Sequence, residues 1–214
     1  MQYVEIATSS PCYLGIDDGY FDINLKRMNR SSKTVLVGIV MCGRRFADMF
    51  IDRISIDGLD ATSSASRVIA KASTLYPIQV AFLDGVTYAG FNIIDPRRIY
   101  NIFNIPLAVI FRHQLDVMKI FKALKEHFID YTYRYSIIDY TYRNSLEVKV
   151  DDTKIRVYVL GLSMAAVIEH IEKVRRVFIE PYPLKVADRL ASLLGRIVMS
   201  RKTLNYDQIS GYSV

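Results

Sequence analysis

The sequence has little from which to build a redox centre, a soft-metal site or a membrane span. It holds two cysteines and three histidines in 214 residues. Cys12 and Cys42 lie beside predicted strands at no metal-ligand spacing, so they read as reduced core residues of a cytosolic protein. His113, His127 and His170 share no ligand spacing either. His127 and His170 read as helix-surface residues, whereas His113 follows Arg112 at a predicted strand end. No glycine-rich phosphate loop or dinucleotide fingerprint occurs, which argues against nucleotide-fuelled chemistry. The uncharged segments around 34–43 and 157–168 are too short to cross a bilayer. The opening MQYVEIATS lacks a basic start followed by an apolar run. The expectation is a soluble, cytoplasmic protein with no membrane partner. No linker or low-complexity stretch divides it, so residues 1–214 read as one domain. Nothing in it signals an oligomeric state.

What is present is an ordinary globular composition, 51% hydrophobic and 23% charged, with a formal charge of +6. The basic balance mildly favours a polyanionic partner such as nucleic acid. Apolar runs predict strands at 12–16 and 34–42, with a hairpin through Cys42-Gly43-Arg44 into an alternating strand at 45–56. Ala65, Val68, Ile69 and Ala72 have helical spacing in a segment from Ala61 to Tyr76, which Pro77 stops. IQVAFLD at 78–84 reads as a strand covered on both faces. A helix over 92–103, a strand at 106–111 and a helix over 115–127 follow. The last third predicts a hairpin (145–150 and 154–160), a helix over 163–176, a helix from Pro183 to about Ser200, and a loose polar tail after Lys202. Strands first, then strands alternating with helices, describe a mixed α/β sheet with helices on both faces.

IDYTYR occurs at 129–134 and again at 138–143. Its tyrosines, interleaved with Arg134 and Arg143, suit either base stacking or packing on the sheet, and helical spacing favours packing.

Four carboxylates sit where chemistry can use them. Asp17 and Asp84 end apolar strands, and the carboxyl ends of strands are where open α/β sheets build sites. Asp60 stands at the start of the first long helix, and Asp188 lies on the last one. Carboxylates gathered at such an edge repel one another unless cations separate them. Such a cluster suits Mg²⁺ or Mn²⁺, hard ions that take oxygen ligands and bridge phosphates, and two such ions can activate a water and stabilise the leaving oxygen of a phosphodiester, a two-metal mechanism. Each residue also has a structural reading: Asp60 as a helix cap, Asp188 paired with Lys185 or Arg189, Asp84 in a turn with Gly85.

LGIDDGYF (14–21), IDGLDAT (56–62), AFLDGVTYAGFNIIDPRRI (81–99) and IPLAVIFR (105–112), in this order, resemble the archaeal endonuclease dU family, distant relatives of endonuclease V. The resemblance runs from about residue 12 to 200. It implies a ribonuclease H-like three-layer mixed sheet, with helices on both faces, and a metal-dependent endonuclease acting near a deaminated base, deoxyuridine in DNA. By the same resemblance Asp17, Asp60, Asp84 and Asp188 would be metal-binding catalytic carboxylates. Asp188 carries this through PYPLKVAD, which is similar to a PxPxRxAD pattern. Asp57 competes with Asp60 for the second position. Arg112 matches a lysine of the relatives and would hold the scissile phosphate. DNA is favoured over RNA as partner.

Two departures stand out. MFIDRIS occupies the place of a PYIP-type wedge, and the second carboxylate is aspartate where the relatives have glutamate. Alternation along an extended strand turns Asp18 to the face opposite Asp17. Tyr88 and Phe91 could stack on a flipped base or cover the core. The competing function is a nucleic-acid-binding or assembly protein that keeps the fold without catalysis, binding through Arg97-Arg98 and Lys173-Arg175-Arg176. It leaves the four carboxylates unexplained.

Overall fold

The computed structural model describes residues 10–22, 32–150, 153–175 and 180–210, giving for 201–210 the helical path alone. In chain order the elements are β1 (Cys12–Asp18), β2 (Lys33–Cys42), β3 (Arg45–Ser55), α1 (Ala61–Leu75), β4 (Ile78–Asp84), β5 (Thr87–Tyr88), β6 (Asn92–Ile93), α2 (Pro96–Phe103) and β7 (Leu107–Phe111). Then come α3 (Val117–His127), α4 (Tyr131–Arg143), β8 (Leu146–Val150), β9 (Thr153–Leu160), α5 (Met164–Val174) and α6 (Tyr182–Ser210). Among these no helix is long and apolar enough to cross a membrane.

Seven strands form one mixed sheet in the order β3-β2-β1-β4-β7-β9-β8. β1, β4 and β7 run parallel at its centre, and every other neighbouring pair is antiparallel. Both faces are covered, which is why β1, β4 and β7 read as nearly unbroken apolar runs. On one face Leu14, Ile16, Ala81, Leu83 and Val109 pack with residues of α1, α2, α3 and α4. On the other, Tyr13, Val80, Phe82, Ala108 and Ile110 pack against Val167 and Ile171 of α5 and Leu184 of α6. Farther along that face, Val35, Val37 and Ile39 of β2 meet Ala187 and Ala191 of α6.

The approach of α6 to β1 depends on absent side chains. A Cβ on Gly15 would overlap the backbone of Pro183 and Leu184, and one on Gly195 would overlap the backbone of Gly19 and Tyr20. These two glycines let helix and strand meet backbone to backbone, with Asp188 carried between the two points of contact.

Several predicted boundaries move. The helix expected over 92–103 begins at Pro96, because Asn92–Ile93 pairs with Thr87–Tyr88 as a small hairpin. Asp95 caps it by accepting from the backbone N–H of Arg97 and Arg98. The expected loose tail instead continues α6 to Ser210, and residues 211–214 lie outside the described residues. The helix at 163–176 spans Met164–Val174, and Arg176 is also outside them. The cysteines, read as reduced thiols, are joined: Cys12 and Cys42 are partners in the β1–β2 register, with Cα atoms 4.0 Å apart and a disulfide between them. A separation of 30 residues carries no disulfide signal in itself; the strand register creates the proximity.

The tyrosine-rich repeat is helix α4. Buried Arg134, 4% exposed, donates to the carbonyls of Gly58 and Phe91, pairs with Asp130 at 2.9 Å and lies over the Phe128 ring. Phe121 packs edge-on against Tyr131 and Tyr135. This is packing and loop anchorage. His170, expected on the surface, is half-buried with Nδ1 3.0 Å from the Tyr13 hydroxyl.

Candidate active site

Parallel register sets the site. Gly15 is paired with Phe82, so two residues farther on Asp17 and Asp84 fall side by side at the carboxyl ends of β1 and β4. Asp84 in turn pairs with Ile110 of β7, and Arg112 follows two residues later on the same face. That face is the one α6 covers, and α6 brings Asp188 to it.

The electrostatics follow from burial. Asp17 is 7% exposed and accepts from the backbone N–H of Asp18 at 2.8 Å. Burial first, then the charges of Asp84 and Asp18, push its pKa well above the ordinary aspartate range, with Asp188 adding to the effect. Asp84 is also raised, by burial and by Asp188 and Glu180, against the opposing pull of Arg112. Asp18 points to the opposite face, where its carboxylate accepts from the Ala89 backbone N–H at 2.9 Å. Burial nevertheless lifts it to about 7, with Asp84 and Asp188 contributing. This is an excess of negative charge in a poorly solvated corner.

Two cations answer it. Arg112 Nη2 donates to Asp84 Oδ2, and its Nη1 lies 3.7 Å from Glu180 Oε1. Burial works against the Arg112 charge, yet Asp84, Asp17 and Glu180 hold its pKa up. Lys185 Nζ lies 2.8 Å from Glu180 Oε1 and 3.2 Å from Asp188 Oδ2. The result is an alternating chain, Asp84–Arg112–Glu180–Lys185–Asp188, around the end of β1. Sequence reasoning missed Glu180, which is 8% exposed. It precedes the PYPLKVAD motif and carries no pattern of its own.

Asp60 has other partners. Its carboxylate accepts from the Ser55 backbone N–H at 3.0 Å, the Ser55 hydroxyl at 2.9 Å and Asn92 Nδ2 at 2.7 Å, and Lys33 lies 3.8 Å away. It makes no side-chain cap to α1; Asn92 Oδ1 accepts from the Ala61 N–H instead. Asp57, its competitor, accepts from the Phe91 N–H at 2.7 Å. Both hold the turn between β5 and β6 against the end of β3.

Beside Asp84 opens a cavity of about 220 Å³, lined by Val86, Phe91, Phe111, Arg112, His113 and Leu115 among others. Phe91 stands at its wall, edge-on to Phe128, while Tyr88 is fully buried in the core. His113 is exposed at the cavity rim.

The sheet order, with parallel central strands and helices on both faces, is that of a ribonuclease H-like fold. Endonuclease V shares the fold: the Ciona intestinalis enzyme, solved with a 24mer DNA containing an inosine followed by a ribo-adenosine, superposes with a TM-score of 0.55 at 12% identity, over 90% of this chain and 87% of that one. Human ENDOV gives 0.55 at 13% identity, over 92% and 87%. More similar is an Archaeoglobus fulgidus protein of unknown function, with a TM-score of 0.71 and 26% identity, over 85% of this chain and 96% of that one. The family model described as Endonuclease dU matches residues 12–195, and the chain belongs to that family. A UPF0215 protein of Pyrococcus horikoshii is 32% identical over 84% of this chain and 89% of its own length. One from Sulfurisphaera tokodaii is 31% identical over 89% and 98%.

The donor chemistry suits a hard divalent ion: carboxylate oxygens crowded so that the Asp84 and Asp188 charges raise the Asp17 pKa. Among the described residues no three such side chains stand ready around one point. Arg112 and Lys185 occupy oxygens of Asp84 and Asp188, so an ion would take the place of these cations.

Proposed function

We propose that the chain is a Mg²⁺- or Mn²⁺-dependent endonuclease that hydrolyses a phosphodiester beside a deaminated base, deoxyuridine in DNA. Family membership and the fold shared with endonuclease V, one structure of which holds inosine-containing DNA, support nuclease action. The observation that carries the reading is the register that sets Asp17 beside Asp84 at the carboxyl ends of parallel strands, with the Asp188 charge acting on both.

Asp17, Asp84 and Asp188 would hold the ion, and Asp60 would keep the neighbouring turn in place. When bound, the ion lowers the pKa of an attacking water and neutralises charge on the departing oxygen. The chain's own groups do the rest. Released from Asp84, the Arg112 guanidinium is shaped to donate twice to a phosphate. Lys185 adds a point charge beside it. The apolar cavity beyond Asp84 receives the base turned out of the stack, with Phe91 as a stacking wall. His113 at its rim is within reach of the flanking phosphate.

The test is cleavage of end-labelled oligonucleotides carrying uracil, hypoxanthine, an abasic site or no lesion, as DNA and as RNA, with Mg²⁺, Mn²⁺ or chelator. Metal-dependent cutting at uracil that is lost in Asp84→Asn is the expected result. Binding without cutting of any substrate would instead make this a binding protein on a nuclease fold.

A further inference from the structure

Among the described residues, Glu180 is the acidic group of the site that touches both cations. Its Oε1 lies 2.8 Å from Lys185 Nζ and 3.7 Å from Arg112 Nη1, and it is 8% exposed. Each of those cations also holds a carboxylate that the proposed function gives to the ion: Arg112 holds Asp84, and Lys185 holds Asp188 at 3.2 Å. Every oxygen taken up by a cation is withdrawn from metal binding. For an ion to enter, both cations must let go, and neither can do so cheaply without another anion, because an unpaired buried charge is strongly disfavoured.

We infer that Glu180 is a positioning residue: the buried carboxylate onto which Arg112 and Lys185 transfer when Asp84 and Asp188 turn to a divalent ion, leaving both cations directed at the substrate phosphate. The inference rests on the proposed metal-dependent reading. Glu180 is suited to this by its place. It stands just ahead of α6, within contact distance of Lys185 one turn into that helix and of Arg112 just past β7. Lys185 is itself only 14% exposed, so water cannot replace the lost partner easily.

The experiment is calorimetric titration of the full chain with Mn²⁺, without nucleic acid, for wild type, Glu180→Gln, Glu180→Asp and Asp84→Asn, each checked for folding by circular dichroism. Glu180→Gln is expected to weaken Mn²⁺ affinity about tenfold or more, the usual effect of losing a group that supports metal ligands. Glu180→Asp, which keeps the charge, should recover part of the loss. Adding Arg112→Met to Glu180→Gln should restore part of the affinity, because the competitor for Asp84 is gone while Lys185 remains on Asp188. Unchanged affinity in folded Glu180→Gln would overturn the inference and leave Glu180 as a structural ion pair. Should Glu180→Gln not fold, Glu180→Gln/Lys185→Met removes both partners together; it is still expected to bind Mn²⁺ more weakly, because Arg112 remains on Asp84, and unchanged affinity there would equally overturn the inference. Wild type that binds no Mn²⁺, or Asp84→Asn that binds it as wild type does, would instead bring down the metal-dependent reading itself.

Discussion

Asp17 and Asp84 stand next to each other on the α6 face of the sheet, the Asp84 charge raising the Asp17 pKa, with Arg112 joined to Asp84 and reaching Glu180. A structure that keeps two buried carboxylates together tolerates repulsion in order to have them there.

Asp84→Asn is therefore expected to separate function from stability. Cleavage should fall at least about a hundredfold, beyond the loss of a merely supporting group. The metal-free melting temperature should stay level or rise, since losing the Asp84 charge relieves the repulsion it exerts on Asp17. Melting in chelator, set beside cleavage with Mn²⁺, checks both halves. A large drop in melting temperature would mean that the Arg112 pair outweighs the repulsion.

The same raised values fix a pH dependence. Asp18 titrates near 7 when folded and near the ordinary value of 3.8 when unfolded. Between these limits the folded state holds more protons, so stability falls as pH rises through the window. Asp17 and Asp84 act in the same direction. Guanidinium unfolding in chelator should give greater stability at pH 4.5 than at pH 7.5, and added Mn²⁺ should reverse the order by binding the ionised carboxylates of the folded state.

Arg134 is predicted to matter for folding and not for nucleic acid. Arg134→Met removes a buried guanidinium that holds Gly58, Phe91 and Asp130. The expected cost is about 3 kcal/mol in denaturant unfolding. DNA binding measured well below the melting temperature, and its salt slope, should not change; a slope reduced by about one would show a phosphate contact instead.

The Cys12–Cys42 disulfide lies at the opposite end of β1 from Asp17. Reduction, or Cys12→Ser with Cys42→Ser, should lower stability by about 3 kcal/mol while leaving Mn²⁺ affinity unchanged. Equal melting temperatures with and without reductant would refute the first part.

What the sequence disclosed depended on the range of the signal. Asp17 and Asp84 end apolar runs, so their strand-end positions were readable from local pattern, and the period of two turned Asp18 away from Asp17. The final helix and its Asp188 were readable as well. Contacts set by register were not. Cys12 reads as a thiol until β2 is laid beside it. Asp60 reads as a helix cap or a ligand until Asn92, 32 residues away, takes one of its oxygens and caps α1 in its place. Glu180 belongs to no periodic segment, and only the fold puts it between Arg112 and Lys185. Asn92 and Ile93 extend an apparent helix start until Thr87 and Tyr88 pair with them.

The close seating of α6 on Gly15 and Gly195 has a consequence for the order of events during synthesis. β1 and β4 emerge early, but the helix that carries Asp188 and Lys185, and Glu180 just ahead of it, come from the last part of the chain. The central strands can pair while the ribosome is still at work. The full set of charges cannot meet until α6 docks. On the proposed reading, a nascent chain would stay inactive until α6 is in place, and fraying of α6 would silence the site while the sheet stayed folded.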